Sequence, residues 1–438
     1  MTADRKIWNV LIFPAGMENG LEIWKALKDC KEVRLFAGTS RGVNHTEYVY
    51  ERPLYIPTVF ENNWIERLNR IIKSNNIDYI YPANSIVIDS LVENREKISC
   101  KVLLPDTAIV KLTRSKRKTI DRLTGKVPVP NLIEVDKNME YPVFVKPDCG
   151  YGSQNATVLF SAVELERFFR DKDINEYVIQ EYLPGREFTV DCFSDHEGIL
   201  FCGARTRERI RMGTSMHSEL VQAPLLEQIE GIAGKIYQNI PITGAWFFQL
   251  KEDKKGDLKL LEIDIRIAGT MALNRIRGIN FPLLTLYLFS GKKIDLLLNN
   301  YKVTIDRCLQ NRYKHNISYN KVYIDLDDTI VKDNILNLDI IRFLYQCINK
   351  KIKLILLSKN LQADKIAYLN RFRIKDIFDQ IIWIEEREKK SDYILKFGAE
   401  HAIFIDDSFS QRKEVYDELN IPTFDPSMIE VLIEDRYK

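Results

Sequence analysis

Residues 322–329, VYIDLDDT, limit what this chain can fold into more than any other stretch. A short apolar run, Val322–Tyr323–Ile324, ends in carboxylates at alternate positions, Asp325 and Asp327, followed by Thr329. Such a run reads as a parallel strand buried on both faces. Both carboxylates then emerge at its C-terminal end, where open α/β sheets gather their ligands. A carboxylate pair at that edge suits Mg2+ and phosphate chemistry.

The same texture continues to the C-terminus. After VYIDL (322–326) come a helix pattern at 337–350, strand KLILLS (353–358), a helix at 364–372, strand IIWI (381–384), a helix at 391–397, strand AIFIDD (402–407) and a helix at 411–418. Strand alternating with helix predicts a doubly wound parallel sheet over 321–438. The polar, aperiodic stretch 306–320 reads as the linker preceding it.

Upstream, residues 1–110 also alternate. WNVLIF (8–13), VRLFAG (33–38), DYIYPAN (78–84) and KVLLPD (101–106) read as strands, and 19–29 and 64–74 as amphipathic helices. Pro14–Gly20 is read as a strand-to-helix turn, with a phosphate loop as the alternative; it lacks the dinucleotide fingerprint. Residues 111–305 are richer in strands. PVFVKPD (142–148), ATVLF (156–160), YVIQEYL (177–183), GREFTVDCF (185–193) and GILFCGARTR (198–207) are followed by a predicted hairpin, GAWFFQL (244–250) with LKLLEIDIRI (258–267). The expected fold is therefore α/β in 1–110 and 321–438, and α+β in 111–305.

At 438 residues, two to four domains are expected. The 64 basic and 62 acidic residues leave a net charge of +2, which gives no argument for nucleic acid or a membrane as partner. Seven scattered cysteines without a C-x-x-C pair fit reduced thiols in a cytoplasmic protein. The apolar stretch 281–290 is too short to span a bilayer, and the first residues lack the apolar core of a signal peptide.

The order and spacing of KTIDRL…VPVPN (118–131), PVFVKPDCGYGSQN (142–155), VIQEYLPGREFTVD (178–191) and EIDIR (262–266) resemble the ATP-grasp superfamily, and most of all the short relatives of the carbamoyl phosphate synthase large subunit. Residues 1–110 then look like the pre-ATP-grasp domain. The resemblance implies ATP and Mg2+ as cofactors. It assigns Lys146 and Lys116 to the phosphates, with Arg117 and Lys118 as alternatives to the latter. Gly150, Gly152 and Ser153 belong to the loop that closes over the phosphates. Glu181 and Tyr182 fall at the adenine, and Glu187 at the ribose. Glu262 is implied as a Mg2+ ligand, with Gln249 across the hairpin and Asp264 beside it; Arg266 is implied to hold the transferring phosphate. Asp264 departs from the family, which usually carries Asn there; the extra negative charge bears on metal preference. Arg205, Arg207, Arg209, Arg211 and residues 267–270 should wall the substrate cavity; at least one of the arginines is expected to meet a phosphate or carboxylate, with Arg205 and Arg207 as the candidates for cofactor binding and Arg209 and Arg211 partly solvated. Asn274 and Asn280 are further candidate contacts, and His217 is read as a polar loop residue.

Residues 321–438 resemble the haloacid dehalogenase superfamily of phosphatases. Its motifs stand here as Asp325–Leu–Asp327–Asp–Thr329, Ser358, Lys390 (or Lys389) and Asp406–Asp407. The resemblance implies Asp325 as nucleophile and Asp327 as general acid and base. Ser358 and Lys390 face the phosphate oxygens, and Asp325, Asp327 (through its carbonyl), Asp406 and Asp407 face Mg2+. The stretches 330–357 and 391–405 leave no room for a large cap domain. Together these readings imply an ADP-forming ligase that joins a small-molecule carboxylate to an amine, fused to a phosphatase acting on a phosphorylated metabolite. A small-molecule kinase coupled to a phosphatase, and a nucleotide-binding sensor without turnover, stay open as alternatives. Members of both superfamilies are often dimers, so a homodimer is an expectation that no sequence feature localises.

Overall fold

The computed structural model describes residues 7–136, 139–150, 155–211, 213–359 and 364–434. The chain divides into two compact units, 1–309 and 310–438.

Unit 1 opens with a five-stranded parallel sheet. Across it lie Leu54–Tyr55, Val33–Thr39, Trp8–Phe13, Tyr79–Pro82 and Lys101–Val102. The central strand alternates as a period of two requires. Leu11 and Phe13 join the core formed by helices Trp64–Ser74 and Ser85–Glu93, while Val10 and Ile12 join that of helix Glu18–Leu27. The strand expected over 101–106 is only two residues long. Helix Thr107–Arg114 runs straight through the expected boundary at 110/111, because Val110 is buried in one core with Leu91 and Ile263.

Three antiparallel sheets follow. Thr157–Leu159, Val143–Pro147 and Tyr177–Glu181 form one, packed with helix Ala162–Phe169 around Val145, Leu165 and Ile179. Ile199–Thr206, Glu187–Ser194, Gly244–Glu252 and Leu258–Asp264 form the second, in that order. The third is Glu208–Arg211, Thr214–Glu219 and Thr304–Asp306. Residue 306, expected to begin a linker, is thus held in a strand. Arg307 N–H donates to the Met216 carbonyl at 2.8 Å, and regular structure stops only beyond that.

Unit 2 is an open sheet whose five strands are all parallel, in the order Gln380–Trp383, Lys353–Ser358, Lys321–Ile324, Ala402–Ile405, Thr423–Phe424. Val322 and Ile324 pack with helix Leu338–Asn349 on one face; Tyr323 packs with Ile394, Phe404 and Val415 on the other. Each such fully buried side chain contributes about 1.5–3 kcal/mol, which is why the strand has no polar face. The short hairpin Val331–Lys332 with Ile335–Leu336 and the edge strand Thr423–Phe424 were not expected; both are too short to leave a periodic signal. None of the described helices is long and apolar enough to cross a membrane.

Candidate active sites

The unit 1 site is a cavity of about 560 Å³. One wall is a face of the four-stranded sheet, and its register sets out the side chains in rows. Arg205, Thr189, Gln249 and Glu262 lie opposite one another across four strands. Glu187 and Lys251 form the next row on one side; Asp191, Phe247 and Asp264 form the next on the other. The residues between them, Phe188, Val190, Trp246, Phe248 and Ile263, are buried in the core beneath. Period-two strands thus bring one polar set to one face.

The sequence assignments fall on this grid unevenly. Lys116, Lys146, Gly150, Tyr182, Glu187, Arg205, Arg207, Gln249, Glu262 and Arg266 border the cavity, as do Ala268, Gly269 and Thr270. Lys146 Nζ donates to the Leu261 carbonyl at 2.8 Å, and burial pulls its pKa down to about 8. Lys116, rather than Arg117 or Lys118, is the second cation here. It starts helix Lys116–Leu123, whose Ser115 cap and Arg117 N–H are both tied to Asp148. Arg117 instead reaches the Tyr177 carbonyl. Glu187 lies 2.6 Å from Arg207 and 3.7 Å from Lys251, so it serves as the counter-charge of that row.

Glu181 is displaced from its expected place. Successive strand residues face opposite sides, so Glu181 and Tyr182 do not share a wall. The Glu181 carboxylate accepts the Asn131 N–H at 2.8 Å, and its neighbour Gln180 borders the cavity instead. Gln180 Oε1 is buried without a partner among apolar Phe144, Val158 and Leu183, which fits the edge of a planar base. Asp264 is not on the cavity surface. It is buried, with Oδ2 2.8 Å from Arg266 and Oδ1 without a partner; the Arg266 guanidinium also lies over the Phe247 ring. Gly152 and Ser153 lie outside the described residues. Arg209 pairs with Asp306 and is exposed, as is Arg211. His217 hydrogen-bonds with the same Asp306. Asn280 caps helix Phe281–Phe289 and donates to Ala26, a structural role. Asn274 lies beneath the floor, donating to Asp191 at 3.0 Å.

Asn84, Ser85 and Arg307 border the cavity without having carried a sequence signal as ligands. Met17, Glu18 and Asn19 border it too; they belong to the Pro14–Gly20 stretch, for which a phosphate loop was the alternative to a plain turn. Glu262 and Gln249 face each other on the cavity wall and offer oxygen donors of the kind Mg2+ takes, while Asp264, expected beside them, lies off that wall and is paired with Arg266.

The unit 2 site sits at the C-terminal edge of its sheet. Ile324 is in register with Leu356 and Ile405, so Asp325 falls beside Asp406, and Ser358 beside Leu326. The loop turns tightly at Asp328, which has φ of 54°, and returns Thr329 to the interior. Thr329 Oγ1 donates to Asp407 Oδ1 at 3.1 Å and accepts the Asp407 N–H at 2.9 Å. Lys390, at the first turn of helix Lys390–Phe397, is fully buried; its Nζ donates to Asp325 and to Asp406, each at 2.6 Å. A cation at a helix N-terminus opposes the macrodipole; here the two carboxylates offset that cost. Lys389 is exposed and pairs with Glu418, which leaves Lys390 as the site lysine. Burial pushes the Asp325 and Asp406 carboxyls up, and Lys390 draws both back. Oxygens of Asp325, Asp406 and Asp407 lie within 4.8 Å of one another, a donor set that fits Mg2+. The Asp327 carboxylate is outside this trio; Asp327 is half-buried and bridges to Val331 through its backbone.

Residues 173–309 match the protein family described as ATP-grasp in the biosynthetic pathway with Ter operon. The chain is 27% identical over 223 residues to the 3-methyl-D-ornithine–L-lysine ligase of Methanosarcina mazei, covering 50% of this chain and 57% of that one. It is 28% identical over 231 residues to the carbamoyl phosphate synthase large chain of Clostridium botulinum, covering 50% of this chain and 20% of that one. The matched stretch is therefore well short of these relatives' full length. Among solved structures, the biotin carboxylase of Campylobacter jejuni aligns with a TM-score of 0.57 at 16% identity, over 67% of this chain and 74% of that one. An L-amino acid ligase from Bacillus licheniformis aligns at 0.52 and 16%, over 65% and 74%. The family match places an ATP-grasp domain at residues 173–309, and the structural likenesses show a mixed α/β fold.

Proposed function

We propose that unit 1 is an ADP-forming ligase joining a small-molecule carboxylate to an amine, and that unit 2 is a Mg2+-dependent phosphatase of the haloacid dehalogenase type. The ligase reading is carried by the face that aligns Arg205, Thr189, Gln249 and Glu262 on the cavity that Lys116 and Lys146 also border. The likeness to a 3-methyl-D-ornithine–L-lysine ligase supports it. Lys116 and Lys146 hold the phosphates of ATP, and Glu187 orients the ribose. The substrate carboxylate attacks the terminal phosphorus, ADP leaves, and Arg266 steadies the resulting acyl phosphate. The amine then attacks the acyl carbon, and phosphate leaves. Mg2+, when bound, neutralises phosphate charge in both units.

The phosphatase reading is carried by Lys390 set between Asp325 and Asp406 at a sheet edge. Asp325 attacks phosphorus to give an aspartyl phosphate while Asp327 protonates the leaving oxygen. Asp327 then takes the proton of the water that hydrolyses it. Ser358 and Lys390 neutralise the phosphate oxygens. The phosphate removed is one that the ligase substrate or product carries.

The test compares wild type with Asp325→Asn, each incubated with Mg-ATP and pooled metabolites, by mass spectrometry. A phosphorylated conjugate accumulating only in the variant is the expected result. The same unphosphorylated conjugate from both proteins would separate the two activities. A phosphorylated product without a new amide would indicate a kinase, and the absence of both ADP and conjugate would leave a sensor.

A further inference from the structure

Once the phosphate end of the unit 1 cavity is filled, its walls still hold unused positive charge. Cationic side chains on those walls outnumber carboxylates by seven to three among the described residues. Lys116, Lys146 and Arg266 serve the phosphates, and Arg207 and Lys251 flank Glu187. Arg205 and Arg307 remain.

Arg205 is 1% exposed, and its fork is fixed on Asp191 by bonds of 2.9 and 3.0 Å. Asn274 donates to the same carboxylate, and Gly203 leaves room for it: a Cβ there would lie 3.2 Å from Asn274 Nδ2. With this much support, Arg205 Nη1 is still buried without an acceptor. Native interiors rarely leave a charged donor so. Arg307 enters from beyond the last strand of its sheet. Its guanidinium lies flat against Gly269, where a Cβ would meet Nη2 at 3.1 Å and Cζ and Nη1 at 3.2 Å. Glu18 accepts from Nη2 at 2.6 Å and fixes that orientation. Both arginines border the one cavity, together with Thr270.

We propose that Arg205 and Arg307 recognise a second acidic group on the carboxylate substrate, so that the enzyme prefers dianionic acids to their neutral isosteres. A planar guanidinium held from behind suits an oxyanion, either carboxylate or phosphate. This rests on the ligase reading above and goes further by naming the substrate class. It also explains the two supports: Asp191 and Glu18 hold the forks in place, and each leaves at least one edge unused.

The experiment measures hydroxamate formation from Mg-ATP, hydroxylamine and a set of acids. L-Aspartate, L-glutamate and O-phospho-L-serine are compared with L-asparagine, L-glutamine and L-serine, with acetate and L-lysine as acids lacking a second acidic group. At least one acidic member should exceed its neutral isostere by about tenfold or more in kcat/KM. The phosphoserine arm against the two dicarboxylates tells which oxyanion is read. Arg307→Gln should reduce that preference to about twofold while KM for ATP stays the same, and Arg307→Lys should restore part of it. Neutral isosteres or lysine turning over as fast as the acids would overturn the proposal, as would an unchanged preference in Arg307→Gln. In both cases the hydroxamate itself leaves the ligase reading standing. No hydroxamate and no ADP from any acid would overturn both.

Discussion

The two sites each bring carboxylates and buried lysine together, and they differ in how far their charges are already satisfied. In unit 2 the set is closed. Lys390 binds Asp325 and Asp406, Thr329 binds Asp407, and all five lie at the edge of one sheet. In unit 1 the walls come from segments as distant in sequence as Met17 and Arg307, and buried polar atoms of Gln180, Arg205 and Asp264 have no partner. A closed set suits a small phosphoryl group and one dication exchanged for internal contacts. An open, cation-rich cavity suits a large polyanion that supplies the missing partners.

The sharpest way to separate the two is Asp325→Asn. It removes the proposed nucleophile and keeps an acceptor for Lys390. Phosphatase activity, measured as phosphate release from p-nitrophenyl phosphate, should fall by about 10^4-fold or more. ADP formation by unit 1 should stay within about twofold. A loss in both would mean that the sites are not independent. Next in size is Lys390→Met. It leaves Asp325 and Asp406 facing each other in the interior without their cation. Breaking a buried pair in this way costs about 3–5 kcal/mol, read as a lower unfolding transition for unit 2 alone. Adding Asp325→Asn to Lys390→Met should recover part of that loss, because one buried charge is then gone. If the two substitutions simply add, the closed network is not a network.

This contrast also explains what the sequence could reveal. In unit 2 the three central strands were legible almost to the residue. Parallel strands buried on both faces leave uninterrupted apolar runs, and each of these runs ends at or just before a polar residue: Asp325, Ser358, Asp406. In unit 1 the strands were legible and so was the pairing of Gln249 with Glu262. Gln180 could have been found from the same alternation, since it shares its strand face with Tyr182 and not with Glu181. Asp191 likewise follows from Glu187 and Thr189 at a period of two. No such rule reaches Asn84, Ser85 or Arg307. Asn84 carries only the signal of a helix cap, its side chain accepting the Val87 N–H at 2.9 Å. Arg307 enters the cavity because Thr304–Asp306 pairs with a strand far upstream in sequence. These placements are made by tertiary packing, so a local pattern does not record them.

A pH series sharpens the unit 1 side of the comparison. Burial lowers the Lys146 ammonium to about 8, while its neighbour Glu262 holds it up. Lys146 is therefore mostly charged at pH 7 and loses its proton as pH rises through about 8. Phosphate binding needs the charged form, so ATP affinity should weaken above pH 8 by about tenfold per unit, the limit for one proton. The stability of the nucleotide-free protein runs the other way. Between about 8 and the unfolded value of 10.5 the unfolded chain binds more protons, so this group makes stability rise with pH. Isothermal titration with ATP from pH 7 to 9.5, beside thermal unfolding over the same range, checks both signs. Lys146→Arg should flatten the binding profile, because a guanidinium does not titrate there.

The smallest expected effect tests the face assignment itself. Glu181 was assigned to the adenine by resemblance, yet its carboxylate accepts the Asn131 N–H and it does not border the cavity. Glu181→Gln keeps an oxygen acceptor for that bond and changes only the charge. If the period-two face governs the site, KM for ATP should change by less than about threefold. Gln180→Leu, on the adjacent residue, fills the same volume with no polar atom. It should cost more, about tenfold in KM for ATP, because the base then meets no acceptor where Gln180 Oε1 now lies unpartnered. The reverse order, with Glu181→Gln the more harmful, would place the adenine on the other side of this strand. The rows that align Thr189, Gln249 and Glu262 would then no longer define the nucleotide side of the cavity.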